Sequence, residues 1–252
     1  MKRSAILITA DSLRSDYIQS IGSLWHDFLR TNVGGRWHSD EILCPNPNTQ
    51  DVLTAVNSIR NVDYSLVVFI GQGVLVKEDC PWMEMRIGLN DKETLLADRQ
   101  LNTGSPCLTL VLDCYQNSAQ KINDSFSQNK HTQFDTINSD VKFRGIYEDS
   151  MQYAERGFVK IYSTSQTHKG RQTPLFSSFM IDEAYKWSNF HDDKSILSWN
   201  DAVGLAQKRM KEYGLSMEDY QLVYQGGRRL RHFPLAIGCN HGKGDVDAKK
   251  NH

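Results

Sequence analysis

The chain has 252 residues, 39% hydrophobic and 23% charged, with a formal net charge of -1. That length and apolar content suit one large α/β domain with a sizeable core, and the near-neutral balance removes any bulk electrostatic drive toward nucleic acid or an anionic membrane. Five widely spaced cysteines without a Cys-x-x-Cys pair argue against a disulfide framework and against structural zinc, so reduced thiols, a cytoplasmic location and no metal or cofactor are expected.

In chain order, the apolar run Ala5 to Thr9 reads as a first buried strand. Two positive charges precede it, but it stops at Asp11 after about six residues, short of the roughly 7–15 of a signal-peptide core. No later stretch approaches a membrane span. Ile18 to Leu29 carries Ile21, Leu24, Trp25 and Phe28 at helical spacing. Gly34-Gly35 ends that region and admits a second strand around Arg36 to Leu43. Asn48 or Thr49 is placed to cap a helix bearing Val52, Leu53, Val56 and Ile59.

Tyr64 to Ile70 reads as a fully buried strand, and Met83 to Leu89 and Thr94 to Ala97 as a hairpin turning at Asn90-Asp91-Lys92-Glu93. Leu108 to Leu112 is the next central strand. From Gln116 to Asp149 polar residues dominate, predicting a long surface excursion beside the strand ends. Phe158 to Ser165 alternates as a strand, Leu175 to Trp187 and Ser198 to Tyr213 read as helices, and Gln221 to Tyr224 and Phe233 to Ile237 as short final strands. Residues 1–241 are expected to form a single domain and 242–252 a disordered tail. The alternation of buried strands and helices predicts an α/β fold: a mostly parallel central sheet with helices on both faces.

Two strand endings stand out, Val67-Val68-Phe69-Ile70-Gly71-Gln72-Gly73 and Leu110-Val111-Leu112-Asp113-Cys114-Tyr115-Gln116. Ligands in open α/β sheets gather outside such strand ends. The pair resembles the caspase-hemoglobinase peptidases, including prokaryotic caspase-like proteins and metacaspases, whose first strand ends in Ser-Gly-His-Gly and whose second ends in Asp-Ala-Cys or Asp-Cys-Cys. Gly157 to Ser165 followed by Leu175-Phe176-Ser177-Ser178-Phe179 resembles that family's fifth strand, specificity loop and following helix. The ending Tyr224-Gln225-Gly226-Gly227 with Phe233-Pro234-Leu235 resembles the closing segment of its prokaryotic members. The order of elements matches about nine tenths of the chain and implies a caspase-hemoglobinase-like three-layer sandwich.

At the positions matching the catalytic histidine and cysteine stand Gln72 and Tyr115. A carboxamide neither takes nor gives protons usefully near neutral pH, and a phenol with pKa near 10 is a poor nucleophile without a strong base beside it. The resemblance therefore implies a catalytically inactive pseudopeptidase that binds a protein or peptide as a regulatory or scaffold subunit, in the manner of members in prokaryotic defence systems. The alternative is an active cysteine endopeptidase using Cys114 with a displaced histidine such as His168. Strand alternation sets Cys114 opposite to Tyr115, in the packing beneath the sheet. Among retained positions the resemblance implies binding roles for Asp113, for Asp11, Arg14 and Asp16 in the loop after the first strand, and for Gly71 and Gly73. It also implies pairing of the last strand, near Gln221 to Val223, across a homodimer axis; the residues themselves offer the alternative of an edge blunted by Arg228 to Arg231. The cluster Arg228-Arg229-Leu230-Arg231-His232 reads as a solvated turn, and no nucleic-acid or membrane partner is expected.

Overall fold

The computed structural model describes residues 1–10, 16–76, 82–87, 94–115, 140–154, 156–165, 176–214, 220–225 and 233–240. An eight-stranded sheet organises the chain. Its strands are β1 (Arg3–Ala10), β2 (Ile42–Leu43), β3 (Tyr64–Val76), β4 (Trp82–Ile87), β5 (Thr94–Ala97), β6 (Cys107–Tyr115), β7 (Gly157–Ser165) and β9 (Tyr220–Gln225). The main path runs β2-β1-β3-β6-β7-β9. Its first five strands are parallel, and β9 closes the edge antiparallel to β7.

The helices are α1 (Asp16–Arg30), α2 (Thr49–Ser58), α3 (Asp140–Tyr153), α4 (Phe176–Phe190) and α5 (Trp199–Glu212). Because successive strand residues face opposite sides, the sheet buries two separate cores. One joins Ala5, Leu7, Leu66, Val68, Val111 and Ile161 to the apolar faces of α1, α3, α4 and α5. The other joins Ile6, Ile8, Val67, Phe69, Leu110 and Leu112 to α2 and to the β4–β5 hairpin. The architecture is thus α/β, with helices on both faces of a mostly parallel sheet, compatible with a three-layer sandwich. Trp25, Trp37, Tyr64 and Tyr162 are all buried. No helix among the described residues is long and apolar enough to cross a membrane.

Four expectations need correction. The second strand is only Ile42–Leu43, because a left-handed turn at Gly35 and Arg36 and a 3-10 turn over Ser39–Glu41 take up the residues before it. The strand expected to end at Ile70 continues through Gly71-Gln72-Gly73 to Val76, where it pairs antiparallel with β4. The polar stretch to Asp149 is not all excursion. From Asp140 it forms α3, whose Phe143, Tyr147 and Met151 recur every four residues on the buried face; residues 116–139 lie outside the described ones. The closing strand β10 (Pro234–Ile237) leaves the main sheet and pairs with β8 (Ile196–Ser198), a short strand absent from the sequence reading.

Candidate functional site

At the carboxyl end of the central strands, β3 and β6 are paired so that Gln72 lies opposite Tyr115 and Gly71 opposite Cys114. The sheet's own alternation then divides the candidate residues. Tyr115 enters the core beneath α4, while Cys114 enters the core on the α2 side. Both are buried, as is Gln72. Burial and the neighbouring Asp113 charge push the Cys114 thiol well above its usual pKa, so it is held as the thiol.

The two glycines serve this packing. A Cβ on Gly73 would lie 2.7 Å from Cys114 Sγ, and one on Gly71 would lie 2.2 Å from the carbonyl oxygen of Ala10. Gly71 and Gly73 thus give β3 room against its neighbours on the side away from Tyr115.

Asp113 is on the Tyr115 side of β6, level with Ile70 and Ser163. Its carboxyl is fully buried. Oδ2 accepts the backbone N–H of Ser177 in the first turn of α4 at 2.8 Å, an interaction that favours negative charge at a helix N-terminus. The hydroxyls of Ser177 and Ser163 face the same carboxyl and help to hold it ionised, although neither reaches full hydrogen-bond geometry, and Oδ1 has no hydrogen-bond partner among the described residues. Burial dominates these contacts and raises the pKa to about 6. Among the described residues the carboxyl is enclosed by the strand end and the first turn of α4. Sequence reasoning does not single out Ser163 and Ser177 as partners of Asp113; for Ser163 the available signal is a serine at an inward position of a buried strand, and Ser177 lies in the first turn of α4 with no such signal.

Asp16 opens α1 and is exposed. Asp11, Arg14, His168 and the Arg228–His232 cluster lie outside the described residues. No cluster of three or more His, Cys, Asp or Glu side chains suited to a metal occurs among the described residues. The structure therefore brings together Gln72, Tyr115 and Asp113 on one face and sets Cys114, Gly71 and Gly73 on the other.

No protein-family model matches the chain, and no curated protein is significantly similar in sequence. Among solved structures, protein GSU0716 from Geobacter sulfurreducens is similar with a TM-score of 0.50 and 10% identity, over 93% of this chain and 99% of that one. This likeness concerns the fold. Raptor from Chaetomium thermophilum aligns over 81% of this chain and 20% of its own, with a TM-score of 0.36 and 11% identity.

Proposed function

We propose that the chain is a catalytically inactive caspase-like pseudopeptidase that acts as a protein- or peptide-binding regulatory or scaffold subunit. The observation that carries this reading is the register pairing of Gln72 with Tyr115, with the Cys114 sulfur in the opposite core. Thiol proteolysis needs an exposed thiolate, a proton acceptor within hydrogen-bond reach and donors for the oxyanion. Here the strand end offers a carboxamide and a phenol, and the adjacent thiol is buried and protonated. Partner binding follows from the resemblance, as does self-association through the edge strand β9.

Thiol accessibility tests the reading. With iodoacetamide under native conditions, the exposed Cys44 is expected to label rapidly and Cys114 only after denaturation, as read by peptide mass spectrometry. Rapid native labelling of Cys114, or capture by a basic-P1 acyloxymethyl ketone that Cys114→Ala abolishes, overturns it. A gain of peptide hydrolysis in the Gln72→His, Tyr115→Cys double variant supports descent from a working site.

A further inference from the structure

A carboxyl taken out of water must find a cation, find donors for its oxygens, or take up a proton. Asp113 is 0% exposed, and the described elements around it supply no charge. On its own strand the same face continues to the phenol of Tyr115, while the Cys114 thiol lies in the other core. β3 carries no charged residue; Ile70 is level with Asp113, and Gln72 follows on that face. On β7 the level residue is Ser163, and the one charged residue of that strand, Lys160, is on the opposite face, paired with Asp98. On α4 the first charged residue is Asp182, about 7.5 Å along the helix from Ser177.

The donors fall short as well. The Ser177 N–H reaches Oδ2 at 2.8 Å, but Oδ1, Ser163 Oγ and Ser177 Oγ are all buried without a hydrogen-bond partner among the described residues. Unsatisfied polar atoms around one carboxyl make the closed, ionised arrangement costly. Lost hydration outweighs the contacts that favour the anion and raises the pKa to about 6. Protonation relieves the enclosure in two ways: it removes the buried charge, and it makes one carboxyl oxygen a donor to a serine hydroxyl. The other relief is to open. Ser177 lies in the first turn of α4, and helix ends open at the least cost, so fraying there returns the carboxylate to water.

We infer that the Asp113–Ser177 contact is a pH-operated latch: in acid the neutral carboxyl keeps the first turn of α4 seated on the strand end, and towards neutral pH its ionisation loosens that turn and gives water access to Tyr115 beneath it. The latch operates whether or not the strand end binds a partner.

Amide hydrogen exchange of the full chain, followed by NMR at pH 5 and pH 7 and corrected for the intrinsic pH dependence of exchange, tests this. The protection factor of the Ser177 amide is expected to fall about tenfold over that range, with little response to dilute urea because the opening is local. The Val68 amide, in the middle of β3, reports global opening; its protection should exceed that of Ser177 and respond to urea. Asp113→Asn keeps an acceptor for the Ser177 N–H and carries no charge, so its Ser177 protection should be the same at both pH values. The carboxyl carbon shift of Asp113 in the parent needs no variant, and its titration midpoint should lie near 6. A Ser177 protection factor that stays constant, one that falls only in step with Val68 or equally in Asp113→Asn, or an Asp113 midpoint at the ordinary 3.8 overturns the proposal.

Discussion

The Asp113 carboxylate at the end of β6 accepts the Ser177 N–H at the start of α4, two groups 64 residues apart in the chain. This bond ties the strand end to the helix that roofs it, at the cost of burying a carboxylate that has no cationic partner among the described residues. Its folded-state pKa of about 6 lies above the ordinary aspartate value of 3.8, so the folded chain binds the proton more tightly than the unfolded one. The group's stabilising contribution is thus fully present below pH 3.8 and is lost as pH rises through about 6. That loss is worth about 3 kcal/mol by pH 7. Asp113→Asn should therefore flatten the profile, shrinking the difference in unfolding free energy between pH 4 and pH 7 by that order, as read from urea curves at each pH. Parallel profiles for the parent and variant would remove Asp113 as the cause.

The tight approach of Gly73 to Cys114 predicts a coupled pair. Gly73→Ala places a methyl group 2.7 Å from Cys114 Sγ, and overpacking of this kind costs about 1–3 kcal/mol. Cys114→Ala removes the obstructing atom. The double variant should be more stable than the sum of the single effects by about 1 kcal/mol, measured as a double-mutant cycle in urea. Gly71→Ala meets the Ala10 backbone oxygen instead, which no side-chain change can relieve, so it should show no such coupling to Cys114→Ala.

Much of this fold is legible in the sequence because its strands are buried on both faces. β1, β3, β6 and β7 stand out as apolar runs, and the capping roles of Asn48 and Ser198 follow from their positions before apolar helices. α3 was hidden because Phe143, Tyr147 and Met151 are spaced among polar residues that dominate the local composition. The glycines at 71 and 73 imitate a strand end, and only the neighbouring backbone and sulfur explain why they lie within β3. Asp113 is read correctly as a residue near the strand end, but its enclosure depends on α4, a partner that no local pattern reveals. Arg3 gives the sharpest contrast. Beside Lys2 it looks like a solvated charge, yet it is buried by rings contributed from positions 37 and 147.

The Asn48 side chain accepts the Asp51 N–H at 2.9 Å, closing the first turn of α2. Among the described residues α2 is the one α-helix that packs in this core, and the cap satisfies a backbone N–H of its first turn. Asn48→Ala should cost about 1 kcal/mol and Asn48→Ser or Asn48→Asp much less, measured by urea denaturation monitored by circular dichroism. An alanine variant as stable as the parent would show that packing of Val52 and Val56 alone fixes the helix start.

Arg3 tests how far the opposite end of the sheet depends on a buried cation. Its guanidinium lies over Trp37 at 4.5 Å and over Tyr147 at 5.1 Å, and its Nη2 donates to the carbonyl oxygens of Gly35 and Arg36 at 2.7 and 2.9 Å. Glu41 and Glu148 stand 3.7 and 3.9 Å from its Nε. Burial lowers its pKa and the acids work against that shift, yet a guanidinium begins so far above neutrality that it stays charged. Arg3→Met keeps apolar bulk between the rings but removes the donor to the Gly35 carbonyl, leaves the Arg36 carbonyl with the longer bond from Arg144 Nη1 at 3.4 Å, and leaves the acids short of one cation. Losing one member of such a buried network costs about 3–5 kcal/mol. Arg3→Lys restores the charge without the planar fork or its stacking, so it should recover less than half of that loss. Urea unfolding of the three proteins decides the point, and a lysine variant matching the parent would mean that charge alone, rather than the stacked fork, holds the Gly35–Arg36 turn against β1.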